Sequence, residues 1–247
     1  MPGELLPRPW TEYGQPRPSP WQFWDDRTAA DETAYSKYRK TKRRSYGGHS
    51  MGKQAIRSKY LAYRDSLTTS ERLSKSMRIW KNLKREREFQ EAELVLVYLD
   101  YRSEVMTTGL VEEIFLSEGG RRVFAPKVEG LDIEFYEIHS LDDLRPGYQG
   151  IREPEADEEN RFTHRLYEEK NCILLLPGSV YDRELGRMGY GKGFYDRFLH
   201  KFPKLTSVGL AFDCQIAKAV PVDEKDERVD MIVTETEIIR MAGREKE

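Results

Sequence analysis

"CILLLPGSVYDRELGRMGYGKGFYDRFLHKF", residues 172–202, holds a strand, a glycine-rich connection and a helix in one run. Its first part, "CILLLPG" (172–178), is a continuous apolar stretch stopped by Pro177 and Gly178. That is the pattern of a strand buried on both faces. Its last part, "FYDRFLHKF" (194–202), places Phe194, Phe198 and Phe202 at i, i+4 and i+8, on one face of a helix. Between them "GRMGYGKG" (186–193) carries four glycines and two cations. A fully buried strand followed by an amphipathic helix predicts a parallel sheet covered by helices, with ligand sites at the carboxyl ends of the strands.

The connection almost fits the phosphate-binding pattern G-x-x-x-x-G-K-[ST]. Gly186, Gly191 and Lys192 satisfy it, but Gly193 stands where Ser or Thr would bind magnesium. Residues 179–186 also separate the strand from the motif, whereas a P-loop follows its strand directly. A P-loop kinase or ATPase is therefore disfavoured. The physical parts of a triphosphate site remain. Glycines expose backbone N–H groups, and the helix start near residue 194 adds its positive end. Arg187 and Lys192 supply charge, and Asp196 can supply a metal ligand. Asp196 reads equally as a first-turn carboxylate favoured by the helix dipole, worth roughly 0.3–1 kcal/mol.

Outward from this core the same alternation continues. "KQAIRSKYLAYRDSL" (53–67) predicts a helix with Ile56, Tyr60 and Tyr63 near one face. "TTSE" has capping-box spacing from Thr68 to Glu71, and the helix that follows shows a stripe of Leu73, Met77 and Trp80. "LVLVYL" (94–99) reads as another buried strand, and "TTGLVEEIFLSEGG" as a helix ended by glycine. "RRVFAPKV", "DIEFYEI", "TSVGLAF", "DMIVTE" and "EIIRM" read as further strands. The fold class expected is α/β: a layered α/β/α single domain, residues 51–247, with a mostly parallel, mixed central sheet.

Residues 1–50 differ. They hold six of the twelve prolines, three of the four tryptophans and the basic run "KYRKTKRR" (37–44). No period persists in them, so they read as an irregular arm, and Met51 as an alternative start. Cations interleaved with Tyr35, Tyr38 and Tyr46 could grip phosphates and stack on bases, but a solvated extension is the simpler reading. The arm is +3 and the remainder −5, within a chain of 247 residues and net charge −2. That balance gives no overall nucleic-acid signature. No apolar run reaches bilayer length. Cys172 and Cys214 lack metal-ligand spacing and read as reduced, mostly buried thiols of a cytoplasmic protein.

"PGSVYDRELGRMGYGKGFYDRFL" resembles the signature of the 5-formyltetrahydrofolate cyclo-ligase family, and the resemblance runs in order over about residues 53–236. "KQAIR", "YLDYRSEVMT", "APKV" with "DIEFY", "GIREP", "AFDCQ" and "VPVDEKDERVD" carry the rest of it. The resemblance implies cyclisation of 5-formyltetrahydrofolate, free or polyglutamylated, to 5,10-methenyltetrahydrofolate, with ATP as co-substrate, released as ADP and phosphate, and Mg2+ as cofactor. It implies an ATP site of Lys53, Arg57, Arg187, Met188, Gly189, Tyr190, Gly191, Lys192, Gly193, Phe194 and Tyr195, with Arg187 and Lys192 catalytic. Leu99, Glu104 and Tyr195 fall at its folate positions, and Asp196 and Asp226 at its metal positions. Without the resemblance Glu104 reads as an exposed strand-end carboxylate, and Phe194 and Tyr195 read equally as core packing or as site walls. Two departures stand out: Lys225 where the family often has His, and Tyr190 where some members have Arg. A monomer or weak dimer without membrane contact is expected. The competing reading is a non-catalytic nucleotide- or folate-binding relative, tied to RNA through residues 37–44.

Overall fold

The computed structural model describes residues 52–117, 119–221, 223 and 226–241. The expected irregular arm, the basic run 37–44, Met51 and Lys225 lie outside the described residues. In chain order the helices and strands begin with α1 (Lys53–Asp65), α2 (Thr69–Leu83), α3 (Arg87–Glu91) and β1 (Leu94–Val97). Then come α4 (Thr108–Leu116), β2 (Arg122–Glu129), β3 (Asp132–Ile138), β4 (Arg145–Pro146) and β5 (Arg152–Glu153). They continue with α5 (His164–Glu169), β6 (Cys172–Leu176), β7 (Val180–Asp182), β8 (Arg187–Met188) and α6 (Phe194–Lys201). The last are β9 (Thr206–Leu210), β10 (Ile216–Ala217), β11 (Met231–Val233) and β12 (Ile238–Arg240).

The main sheet runs β12-β11-β9-β6-β1-β2-β3. Its five inner strands are mutually parallel, and only the edge strands β3 and β12 pair antiparallel. The expected mostly parallel, mixed sheet is therefore present. β1 and β6 lie side by side in its middle, register Val95 to Ile173, and are buried on both faces. Alternate residues feed two cores: Val95, Val97, Ile173 and Leu175 face one, while Leu94, Leu96, Leu174 and Leu176 face the other. Side chains of adjacent strand positions point to opposite faces, so an unbroken apolar run is what a doubly covered strand requires.

α2 begins with the expected capping box: the Thr68 hydroxyl accepts from Glu71 N at 3.2 Å, and Glu71 Oε2 accepts from Thr68 N at 2.8 Å. Its buried face is not the expected one. Leu73 and Met77 are 46% and 55% exposed, whereas Ser76, Ile79, Trp80 and Leu83 are buried. Two apolar stripes share Trp80. The one continued by Ile79 and Leu83 wins, because the Trp80 indole donates to Met106 O at 2.7 Å and Ser76 Oγ accepts from Met106 N at 3.0 Å. Those bonds fix the helix rotation over the segment that follows β1.

Candidate active site

The segment after β6 does not open directly into a loop. Val180–Asp182 turns back through Leu185 and pairs antiparallel with Arg187–Met188. Asp182, buried, holds this turn: Oδ1 accepts from Gly186 N at 2.8 Å and Glu184 N at 3.0 Å, and Oδ2 accepts from Val220 N at 2.6 Å. A side chain at Gly186 would stand 3.0 Å from both Asp182 oxygens. Gly186 is thus a packing glycine, and its match to a phosphate-binding pattern has a different physical cause.

Beyond β8 the chain becomes a glycine-rich cradle. Gly191 and Gly193 take φ values of 93° and 68°, and Gly193 is the N-cap of α6. Any other residue would be strained there. Arg57, from α1, donates its Nε to Gly189 O at 2.9 Å, which seats α1 against this segment. Arg187 is almost wholly buried and donates Nη2 to Asp196 Oδ1 at 2.8 Å, while its buried Nε has no hydrogen-bond partner among the described residues. Its guanidinium lies 5.7 Å from the Tyr195 ring centroid. The Lys192 ammonium is exposed and pairs with no carboxylate among the described residues. Lys53 donates to Asp226 Oδ2 at 2.5 Å and Asp223 Oδ2 at 3.0 Å. Burial alone would lower the Lys53 pKa, but these two carboxylates outweigh it and raise it.

The segment that carries Asp226 is held against Asp196, because Glu227 N donates to Asp196 Oδ1 at 3.3 Å. Each carboxylate hydrogen-bonds through one oxygen, Oδ1 of Asp196 and Oδ2 of Asp226. Two partly exposed carboxylates with spare oxygens suit a hard cation that keeps water and phosphate oxygens as its other ligands. The donor set fits magnesium. Among the described residues no cluster of three His, Cys, Asp or Glu side chains could hold a metal by itself.

Across from the cradle lies the segment after β1. Leu99 is buried, and Glu104 is only 5% exposed, so it is not the exposed strand-end residue expected without the resemblance. Glu104 Oε2 accepts from Tyr101 N at 3.0 Å. Burial pushes its carboxyl pKa up; Arg64, the Tyr101 N–H and the Tyr190 hydroxyl pull it back. Arg64, in the last turn of α1, is 1% exposed and was not anticipated. Its Nε donates to Ser103 Oγ at 2.9 Å, Nη1 to Gly178 O at 3.2 Å and Nη2 to Tyr190 OH at 2.7 Å. Ser103 in turn donates to Asp65. Gln215 Nε2 also donates to Gly178 O, at 2.7 Å. Arg64 therefore joins the carboxyl end of β6, the Glu104 segment and the cradle.

All the sequence-predicted positions gather in this region or against it. Met188 packs with Ile56 and Tyr60 from α1. Phe194 is half-buried beside Tyr148, and Tyr195 packs against both cores, so both aromatics serve as packing residues at the rim of the site. Residues 49–235 match the 5-formyltetrahydrofolate cyclo-ligase family. The chain belongs to this family. A 5-formyltetrahydrofolate cyclo-ligase of Mus musculus is 26% identical over 201 residues, covering 74% of this chain and 93% of the relative. That of Escherichia coli K12 is 29% identical over 152 residues, covering 60% and 80%. The solved 5,10-methenyltetrahydrofolate synthetase of Aquifex aeolicus is 36% identical, with a TM-score of 0.67, over 80% of this chain and 97% of that one. Among the described residues no helix is long and apolar enough to cross a membrane.

Proposed function

We propose that this protein cyclises 5-formyltetrahydrofolate to 5,10-methenyltetrahydrofolate, with ATP converted to ADP and phosphate. The observation that carries the reading is the meeting of two unlike half-sites at the ends of β1 and β6. One is cationic, with Arg57, Arg187 and Lys192 about the glycine segment; the other is a buried carboxylate, Glu104, on the same segment after β1 as the buried Leu99.

A formyl oxygen on nitrogen is a poor leaving group. It must first become a phosphate ester. The formyl oxygen attacks the γ-phosphorus, an O–P bond forms, and the bond to the β-phosphate breaks to release ADP. N10 then attacks the formyl carbon and loses its proton, the new C–N bond closes the ring, and the C–O bond breaks with its electrons leaving on phosphate, which takes up the proton as inorganic phosphate. No covalent enzyme intermediate is required. The protein's task is alignment and charge neutralisation. Lys192 is the exposed donor available for the transferring phosphoryl group, Arg187 adds a buried positive charge, and Arg57 aligns the loop that carries them. Magnesium, held by Asp196 and Asp226 with phosphate oxygens and water, would offset charge on the triphosphate. Lys53, which donates to both Asp226 and Asp223, would add its positive charge beside the phosphates. Glu104 would accept N–H bonds from the aminopyrimidine edge of the pterin.

The test mixes purified protein, ATP, magnesium and formyl folate and follows the methenyl absorbance. With oxygen-18 in the formyl group, one label should appear in each released phosphate. Product formation with label-free phosphate, under conditions of slow uncatalysed exchange, overturns direct transfer; no methenyl product overturns the activity itself.

A further inference from the structure

Arg64 has no place in the reaction just described, yet it is the most buried cation of the site. Removing a full charge from water is costly, and a buried cation is retained only where its partners are numerous and well placed. Arg64 meets that condition on three sides. Gly178 O fixes it to the end of β6, Ser103 Oγ fixes it to the residue before Glu104, and Tyr190 OH accepts from it at 2.7 Å. The Tyr190 hydroxyl lies beside the Glu104 carboxylate as well. Tyr190 sits between Gly189, which accepts from Arg57, and Gly191 of the cradle. One guanidinium thus reaches the carboxylate proposed for the pterin both through Ser103 and through a tyrosine of the nucleotide loop.

We infer that Arg64 is a positioning residue, which holds the Glu104 segment through Ser103 and uses the Tyr190 hydroxyl to tie the Glu104 carboxylate to the nucleotide loop. The groups around Glu104 make the need for it plain. Tyr98, Tyr181, Tyr190 and Tyr195 surround it, Asp100 is a second carboxylate nearby, Arg187 acts on the same Tyr181 and Tyr195, and Arg64 is the strongest of the neighbours that draw its pKa down. Without Arg64, burial would favour the protonated acid. A protonated Glu104 could not accept two N–H bonds from one aminopyrimidine edge.

The inference rests on the proposed cyclo-ligase reaction, so the wild-type assay comes first; failure there is failure of the reaction. In an active enzyme, the acid limb of log(kcat/KM) for formyl folate should move upward by about one to three pH units in Arg64→Gln. The limb for ATP, at saturating formyl folate, should stay. Arg64→Lys should recover most of the limb position. In a Glu104→Gln background, Arg64→Gln should add less than threefold to the loss in kcat/KM, because neighbours that act through one another are not additive. Tyr190→Phe leaves the buried cation in place and should shift the limb in the same direction by a smaller amount, which keeps the test open if Arg64→Gln does not fold. Calorimetric binding of formyl folate across pH reads the same shift without turnover. An unmoved acid limb in Tyr190→Phe and in a folded Arg64 variant, or losses at Arg64 and Glu104 that multiply, would overturn the role.

Discussion

Individual side chains at this site answer to opposite demands. Lys192 is exposed and pairs with no carboxylate among the described residues, so it contributes little to the fold and stands ready for an anion. Lys192→Met should leave the melting temperature nearly unchanged and lower kcat by roughly 10²–10³, the loss typical of one preorganised donor. Normal turnover at saturating ATP would remove Lys192 from phosphoryl transfer. Glu104 is the reverse case. Burial raises its pKa above the ordinary 4.5 despite Arg64, so the folded state holds the proton more tightly than the unfolded one. Its ionisation therefore costs stability. The cost is absent below pH 4.5, grows as pH rises above it, and is complete only above the raised folded-state value. Glu104→Gln should raise the melting temperature at pH 7 and lose that gain near pH 4. The same variant should raise KM for formyl folate more than KM for ATP. A lower melting temperature at pH 7 would contradict the linkage, and equal KM effects would separate Glu104 from the pterin.

Single elements show how sequence and structure divide the information. The unbroken apolar runs of β1 and β6 and the Thr68 capping box were legible, because each depends on neighbours within a few residues. The Gly191–Gly193 segment and the cations around it were legible for the same reason. Three features were not. The rotation of α2 depends on Met106, a residue distant in sequence. The burial of Arg64 depends on Ser103, Gly178 and Tyr190, each distant along the chain. Gly186 looks like part of a phosphate motif, and only the position of Asp182 shows that it makes room for a turn. That turn gives an element-scale prediction. Asp182 satisfies the N–H groups of Glu184, Gly186 and Val220 inside the protein. Asp182→Ala leaves three donors without it, at about 1–3 kcal/mol for each buried group left unsatisfied. Denaturant unfolding should register a loss of about 3 kcal/mol or more. A loss under 1 kcal/mol would mean that the β7–β8 turn is held by other means.

For the molecule as a whole, the question is how much chain the chemistry needs. Family similarity begins at residue 49, and every side chain assigned to the cradle, the carboxylate pocket or their connection follows residue 52. α1 supplies three cations to this region: Lys53, Arg57 about one turn on and Arg64 about two turns further, which reach Asp226, Gly189 and Tyr190 respectively. A chain beginning at Met51 keeps all of α1, whereas one beginning at Ser66 loses it. The first should fold and hold kcat/KM for both substrates within about threefold of the full chain, less than the tenfold that 1.36 kcal/mol of barrier would produce. The second should lose turnover even where it remains folded. If residues 37–44 grip nucleic acid through phosphates, the full chain should bind single-stranded RNA with an affinity that falls steeply as salt rises, and the chain from Met51 should not. A folded but inactive chain from Met51 would show that residues 1–50 contribute to the site. The two shortened chains together separate a catalytic need for α1 from any need for what precedes it.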